Sequence, residues 1–247
     1  MKLALLADLH ANLEAVTACL AHARGEGAEA YAFLGDLVGY GADPNAVLEL
    51  VAEHARNGAV VVRGNHDAAV ASGRSETMDR AAAHAVAWTR AALGDAERAF
   101  LEALPLVARQ GDALFVHASA EAPADWTYVA DGLRAEQSLA AAAATYVFCG
   151  HVHVPALYYE GAGGRALPFA PEPGVAIPVP PRRRWLAVVG SAGQPRDGLT
   201  AACYAVLDLP GATLTFHRVP YDFRTAAAKV RAAGLPERLA LRLEHGR

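Results

Sequence analysis

Three times within the first 67 residues, a short apolar run breaks off on polar side chains suited to binding or catalysis. Leu3–Ala7 stops at Asp8-Leu9-His10, Ala30–Leu34 at Gly35-Asp36, and Val60–Val62 at Arg63-Gly64-Asn65-His66-Asp67. Stretches with helical spacing lie between these runs. Asn12 is placed to cap a helix through Arg24, with apolar positions at Leu13, Val16, Leu20 and Ala23, and Gly25 and Gly27 end it. A glycine-rich loop, Gly39-Tyr40-Gly41, leads to a second helix near Pro44–Arg56, with proline at a first-turn position. Strand alternating with helix in this way dictates a parallel sheet with helices packed on it. Such a sheet brings its carboxyl ends to one edge, where ligands bind in α/β folds.

After helices expected at about Met78–Leu93 and Asp95–Leu104, the pattern becomes strand-rich. Strands are expected at Leu106–Gln110, Ala113–His117, Tyr146–Cys149, Ala156–Tyr159, Trp185–Val189, Ala202–Leu207 and Thr213–Arg218, with one helix near Arg134–Ala144. A helical C-terminal tail is expected at about 225–245. Six of the 14 prolines lie between Pro168 and Pro181, downstream of Gly161, Gly163 and Gly164, so about 161–184 reads as a loop or an edge hairpin. Strand patterns continue on both sides of it, and 1–247 reads as one domain.

Two of these later strands also end on histidine: His117 closes one, and Gly150-His151-Val152-His153 follows another. Five segments thus deliver aspartate, histidine and asparagine to one edge. Residues at i and i+2 of an extended segment point to the same side, so Asp8 and His10 can share one target, and His151 and His153 can address adjacent ones. Carboxylate, imidazole and amide without thiolate suit Mn, Fe, Zn, Ni or Co better than Ca. The donors outnumber what one tetrahedral ion needs. Two ions about 3.5–4 Å apart, bridged by a carboxylate, would use them all.

The ordered series Asp8-x-His10, Gly35-Asp36, Gly64-Asn65-His66-Asp67, His117 and Gly150-His151-x-His153 resembles the calcineurin-like metallophosphoesterase superfamily. His10-Ala-Asn-Leu-Glu-Ala, the run from Gly35 to Asn45, and Gly193-Gln-Pro-Arg-Asp-Gly resemble one branch of small prokaryotic phosphodiesterases and phosphatases. The resemblance implies an α/β fold, a four-layer α/β/β/α sandwich of two facing mixed sheets flanked by helices. It implies two divalent transition-metal ions, Mn or Fe first, with Zn, Ni or Co as alternatives. Asp8, His10, Asp36 and His153 would hold one ion. Asp36, Asn65, His117 and His151 would hold the other, with Asp36 as the bridge. A hydroxide between the ions would attack phosphorus in line. His66 would stabilise the phosphoryl group or protonate the leaving oxygen, and Asp67 would orient its ring. The implied reaction is phosphoester hydrolysis, with phosphodiesters ranked first. Phosphomonoesters, phosphoproteins and dinucleoside polyphosphates are alternatives. An intact ligand set and His66 argue against a non-catalytic scaffold of this fold. Ala118 replaces the glycine usual after the lone histidine, and Val188-Val189 replaces a common Asn-Pro. Neither change removes a ligand.

Two further residues are substrate-side candidates. Arg196 would clamp a phosphate, or else pair with Asp197 to stabilise its loop. Tyr40 would stack on a base or leaving group, or else pack its loop down. Arg182-Arg183-Arg184 reads as a solvated face, and the histidines outside the motif blocks read as structural. Leu235, Leu239 and Leu243, spaced by four, read as a docking face or a dimer contact, which leaves a homo-oligomer open.

Composition narrows the partners. With 22 Lys+Arg against 26 Asp+Glu and a net charge of −4, stable nucleic-acid binding is not expected, and a small phosphoester or nucleotide is the expected substrate. No apolar run reaches the roughly 18 residues of a membrane span. Cys19, Cys149 and Cys203 form neither a disulfide framework nor a CxxC site, and a reducing cytoplasm is the expected setting.

Overall fold

A computed structural model describes the whole chain, residues 1–247. The first part runs β1 (Lys2–Leu6), α1 (Leu13–Gly25), β2 (Ala30–Phe33), α2 (Pro44–Arg56), β3 (Val60–Val61), α3 (Asn65–Ser72), α4 (Arg80–Ala92) and α5 (Asp95–Ala103). Then come β4 (Val107–Gln110), β5 (Ala113–Val116), α6 (Gly132–Ala142), β6 (Tyr146–Cys149), β7 (Ala156–Glu160), β8 (Ala166–Phe169), β9 (Ala176–Pro178), β10 (Trp185–Val188), β11 (Ala202–Asp208) and β12 (Thr213–Val219). Helices α7 (Phe223–Ala232) and α8 (Glu237–His245) follow.

The strands form two six-stranded sheets, ordered β3-β2-β1-β11-β12-β9 and β4-β5-β6-β10-β7-β8. β1, β2 and β3 run parallel, as do β5, β6 and β10, and the other pairings are antiparallel. Both sheets are therefore mixed. They face each other across a core that includes Leu3, Leu5, Phe115, Phe148, Leu207 and Phe216. The opposite faces of the same strands are also apolar. Ala4 and Leu6 pack with Val16, Leu20, Val47 and Val51 of the helices, whereas Val147 and Cys149 pack with Ala135 and Leu139 of α6. Strands buried on both faces read as continuous apolar runs, which is why they were legible as short unbroken blocks. The resulting layering is the expected α/β/β/α sandwich.

Local chemistry explains most boundaries. Asn12 caps α1 through its side chain on the Ala15 amide, and Asp79 caps α4 through the Ala81 and Ala82 amides. Helix α3 was not expected, because Asn65-His66-Asp67 reads as a polar loop. Asp67 closes a capping interaction onto the Gly64 amide and starts the helix there. The proline-rich stretch is not one hairpin. β8 pairs with β7 at the edge of one sheet, while β9 pairs with β12 at the edge of the other. Proline is tolerated at edges because it cannot donate to a central ladder.

The tail divides at Ala233–Pro236 into α7 and α8, both packed against Tyr40 of the glycine-rich loop. Leu235, Leu239 and Leu243 are buried with Tyr40, Ala82, Ala227 and Val230, so their face is covered within this chain. Lys229 adds a bridge to Glu14 at 2.5 Å and Asp43 at 2.9 Å. No helix is long and apolar enough to cross a membrane.

Leu239 is 1% exposed, and its loss should leave a cavity beside Tyr40. Leu239→Ala is expected to lower the unfolding free energy by about 2–4 kcal/mol, read from urea denaturation. A change below about 0.5 kcal/mol would show that α8 does not contribute to the cooperative core.

Candidate metal centre and substrate cleft

The carboxyl ends of β1, β2, β3, β5 and β6 meet at one edge. Asp8, His10, Asp36, Asn65, His66, His117, His151 and His153 all come together there. Three donor groupings form: Asp8 with His10 and His153, Asp36 with His117 and His151, and His10 with Asp36 and His66. Asn65 joins the second through Oδ1, 3.2 Å from His117 Nε2. Apart from Asn65, each is almost fully buried.

Backbone geometry aims these side chains. Asp8, His10, Asp36, His151 and His153 all have positive φ, between 47° and 67°. This left-handed region costs a non-glycine residue about 1–3 kcal/mol and is enriched at functional sites. Bonds between loops hold it: the Asp8 amide donates to the Gly35 carbonyl at 3.0 Å, and the His10 amide to the Asp36 carbonyl at 2.9 Å. Gly35 has φ +86°, and a Cβ there would lie 2.6 Å from the Gly64 amide nitrogen. Glycine thus allows the two loops to touch.

The imidazoles are set for binding. His117 Nδ1 is 2.7 Å from the Leu34 carbonyl, His153 Nδ1 2.6 Å from that of Gln194, and His10 Nδ1 3.2 Å from that of Val38. Each contact is satisfied by an Nδ1–H and turns Nε2 inward. His10 Nε2 and His153 Nε2 face each other at 3.2 Å, and His117 Nε2 faces His151 Nδ1 at 3.1 Å. In the neutral His10–His153 pair these are facing lone pairs, which need a cation between them, so the donor chemistry fits metal.

The acids complete both groups. Asp36 Oδ1 accepts from the His66 amide at 2.8 Å. Its Oδ2 lies 3.7 Å from His10 Nε2 and 3.4 Å from His117 Nε2, within reach of both imidazole sets. Asp8 Oδ2 accepts from the His151 amide at 2.9 Å, and its Oδ1 is 3.3 Å from His153 Nε2.

Burial opposes almost every charge here. It pushes Asp8 up to about 7, against the pull of His117 and with Asp36 adding to the push. It holds His10 and His153 well below the usual imidazole range, and together with His117 it brings His151 down to about 3. Asp36 is the exception among the acids: burial is outweighed by the protonated His117 beside it, which holds it well below the carboxylate range. His117 moves up to about 9, because Asp36 and Asp8 overcome its burial.

The remaining expected residues take distinct places. His66 lies 5.0 Å from His10 and 4.4 Å from Tyr40 between ring centres, and its buried Nδ1 has no hydrogen-bond partner. Asp67 does not bond to that ring. Its Oδ1 accepts from the Leu37 and Val38 amides and its Oδ2 from the Gly64 amide, so it ties the loop after β2 to the start of α3. Tyr40 is buried among His10, His66 and the tail helices, so it packs its loop while one edge borders the cleft. Arg196 also lines the cleft. It bonds to Gln194 Oε1, while Asp197 pairs with Arg218 instead.

The cleft over the donors holds about 400 Å³ and is walled by Met78, Asp79, Trp126 and Tyr128. Tyr128 stacks on His151 at 3.9 Å with 17° between the rings, and Trp126 stands 5.9 Å from His117. Sequence reasoning missed both aromatics. Their signal was two large rings in the alanine-rich stretch between His117 and α6. Cys149 stays a buried strand cysteine whose thiol is pushed up by burial.

Comparison with known proteins agrees with this geometry. Residues 1–211 match the family model for the calcineurin-like phosphoesterase superfamily domain. An uncharacterized protein of Methanocaldococcus jannaschii is 32% identical over 254 aligned residues, covering 99% of this chain and 98% of that one. The crystal structure of a metallophosphoesterase from Sphaerobacter thermophilus superposes with a TM-score of 0.90 at 36% identity, covering 100% of this chain and 99% of the other. A hypothetical protein from Pyrococcus horikoshii shares the fold, with a TM-score of 0.79 at 21% identity and coverage of 100% and 98%.

Protonation and metal binding should compete at these donors. Protonated His117 and Asp8 cannot ligate, and their shifts to about 9 and about 7 mean that protons must leave when metal enters. The apparent affinity of chelator-stripped protein for Mn²⁺, measured by calorimetry, is expected to rise steadily from pH 6 to pH 9. A flat profile would show that neither group holds a proton in that range.

Proposed function

The chain belongs to the calcineurin-like phosphoesterase superfamily, and from that premise we propose that it hydrolyses phosphoesters with two divalent transition-metal ions, phosphodiesters ranking first among its substrates. The observation that carries the reading is Asp36 Oδ2, one carboxylate oxygen reaching the imidazoles of both donor groups. Asp8, His10, Asp36 and His153 would hold one ion, and Asp36, Asn65, His117 and His151 the other. Mn or Fe suits this oxygen and nitrogen set best, with Zn, Ni and Co also compatible. Bound ions would lower the pKa of water and offset charge on the phosphoryl oxygens.

The chain's own residues do the rest. The carbonyls of Val38, Leu34 and Gln194 fix three imidazoles so that no reorganisation is needed when charge develops. His66 is held below the usual imidazole range by burial and is neutral at pH 7. A neutral imidazole carries one N–H, which His66 would direct at a phosphoryl oxygen or the departing ester oxygen. Asp67 supports this indirectly by setting the α3 start on which His66 rides. Arg196, on the cleft wall, would clamp a substrate phosphate. Tyr128 and Trp126 offer flat apolar surface to the alcohol portion of the substrate.

Metal-stripped protein reloaded with Mn²⁺ is expected to hydrolyse bis-p-nitrophenyl phosphate faster than p-nitrophenyl phosphate. Preference for the monoester would move the assignment to a phosphatase, and the absence of turnover on both would count against hydrolysis of simple esters. Asp36→Asn is expected to lose about 10²–10⁴ in turnover, since it weakens both ion sites. His66→Ala should slow diesters with poor leaving groups more than p-nitrophenyl esters. Equal losses would assign His66 to the phosphoryl oxygens.

A further inference from the structure

α8 carries two arginines one turn apart: Arg238 reaches Asp79 at the start of α4, and Arg242 meets Gln194 and Tyr40. Arg238 is neutralised, with Nη2 donating to Asp79 Oδ1 at 2.6 Å. Arg242 has no carboxylate against it. Its Nη1 lies 3.4 Å from Gln194 Oε1, and the same amide oxygen accepts from Arg196 Nε at 3.3 Å and Nη2 at 2.9 Å. Both guanidiniums also lie over the Tyr40 ring, with Cζ at 5.7 Å for Arg196 and 5.8 Å for Arg242. Two half-buried cations therefore share one neutral oxygen and one aromatic ring. Asp197, the acid adjacent in sequence to Arg196, is committed to Arg218.

Holding like charges together is unfavourable. Burial and the nearby Arg196 draw Arg242 below the usual arginine range, yet a guanidinium remains charged at physiological pH. An anion between the two forks would offset the repulsion, and the forks match phosphate oxygens bidentately. The position is informative. Tyr40 separates the pair from His10 by one ring contact at 4.5 Å. The phosphoryl group being cleaved would already be matched by the metal centre and His66. The two arginines carry more positive charge than one diester phosphate needs.

Resting on the hydrolytic reading above, we propose that Arg196 and Arg242 form a second anion subsite that selects substrates with a further phosphate joined to the one cleaved. The phosphoanhydride chain of a nucleotide is the chemical class that fits. A simple diester places only an uncharged ester arm there and leaves the cations unmatched. Arg238, anchored on Asp79, holds α8 in the register that presents Arg242.

The test uses methylenediphosphonate, which cannot be hydrolysed, against orthophosphate. Both are titrated calorimetrically into the Mn²⁺-loaded protein at fixed free Mn²⁺, and both are measured as inhibitors of bis-p-nitrophenyl phosphate turnover. The diphosphonate is expected to bind about tenfold or more tightly than orthophosphate, and Arg242→Gln should shrink that gap to about threefold or less. Arg242→Lys keeps the charge without the fork and should retain part of the gap. It also serves as the second variant if thermal unfolding shows that Arg242→Gln is not folded. Equal binding of the two ligands by the wild type overturns the proposal. So does a gap unchanged in both variants, which would assign the preference to the metals alone. The hydrolytic reading fails separately: no turnover, with a diphosphonate preference that depends on Arg242, would remove the activity and leave the subsite.

Discussion

Asp8 and Asp36 are 0% and 1% exposed, and no lysine or arginine forms an ion pair with either. Carboxylates taken out of water cost several kcal/mol each unless hydrogen bonds and opposite charge compensate. The compensation comes from other segments: the His151 amide for Asp8, the His66 amide for Asp36, and imidazoles from four different loops. The acids hold the loops together, and the loops keep the acids dry. The residual imbalance, in which burial disfavours protonated imidazole and ionised Asp8 alike, is what a pair of cations would resolve.

That arrangement explains why the backbone is bent where it is. An extended i, i+2 pair sends both side chains the same way, and on that basis Asp8 and His10 were given one target and His151 and His153 adjacent ones. Asp8 and His10 do fall in one grouping, and His151 and His153 in adjacent ones, but by a different route. All four residues are left-handed, folding each loop back over the strand end. The bend is stabilised by partners distant in sequence, such as the Gly193 amide on the Asp8 carbonyl at 2.9 Å. The site is therefore preorganised by contacts between loops that no single loop would hold alone.

Strand ends were legible because doubly buried strands are short, continuous and apolar, and the change to Asp, His or Asn is abrupt. The Asp, His and Asn side chains that gather at this edge were legible for the same reason, helped by their order along the chain. Other features were hidden by their physics. α3 begins on three polar residues, and only the Asp67 cap reveals it. β8 and β9 are edge strands with proline, whose pairing depends on two different sheets. The family resemblance implied Asp67 as a partner for His66, yet backbone amides from two loops claim it. Arg242 lies in an amphipathic helix whose apolar spacing drew attention to Leu239 and Leu243, and its meeting with Arg196 depends on how the tail folds back.

The sheet order also sets a schedule. β1 lies between β2, which follows it closely, and β11, whose Ala205 pairs with Leu5. A ribosome adding roughly 5–20 residues per second would take about 10–40 s to reach that partner. Until then β1 presents an open edge with apolar side chains on both faces, the kind of surface that recruits other strands. Non-local pairing of this sort also slows folding once the chain is whole. The most exposed interval for this molecule thus falls during its own synthesis, before the strand that closes its central sheet has emerged.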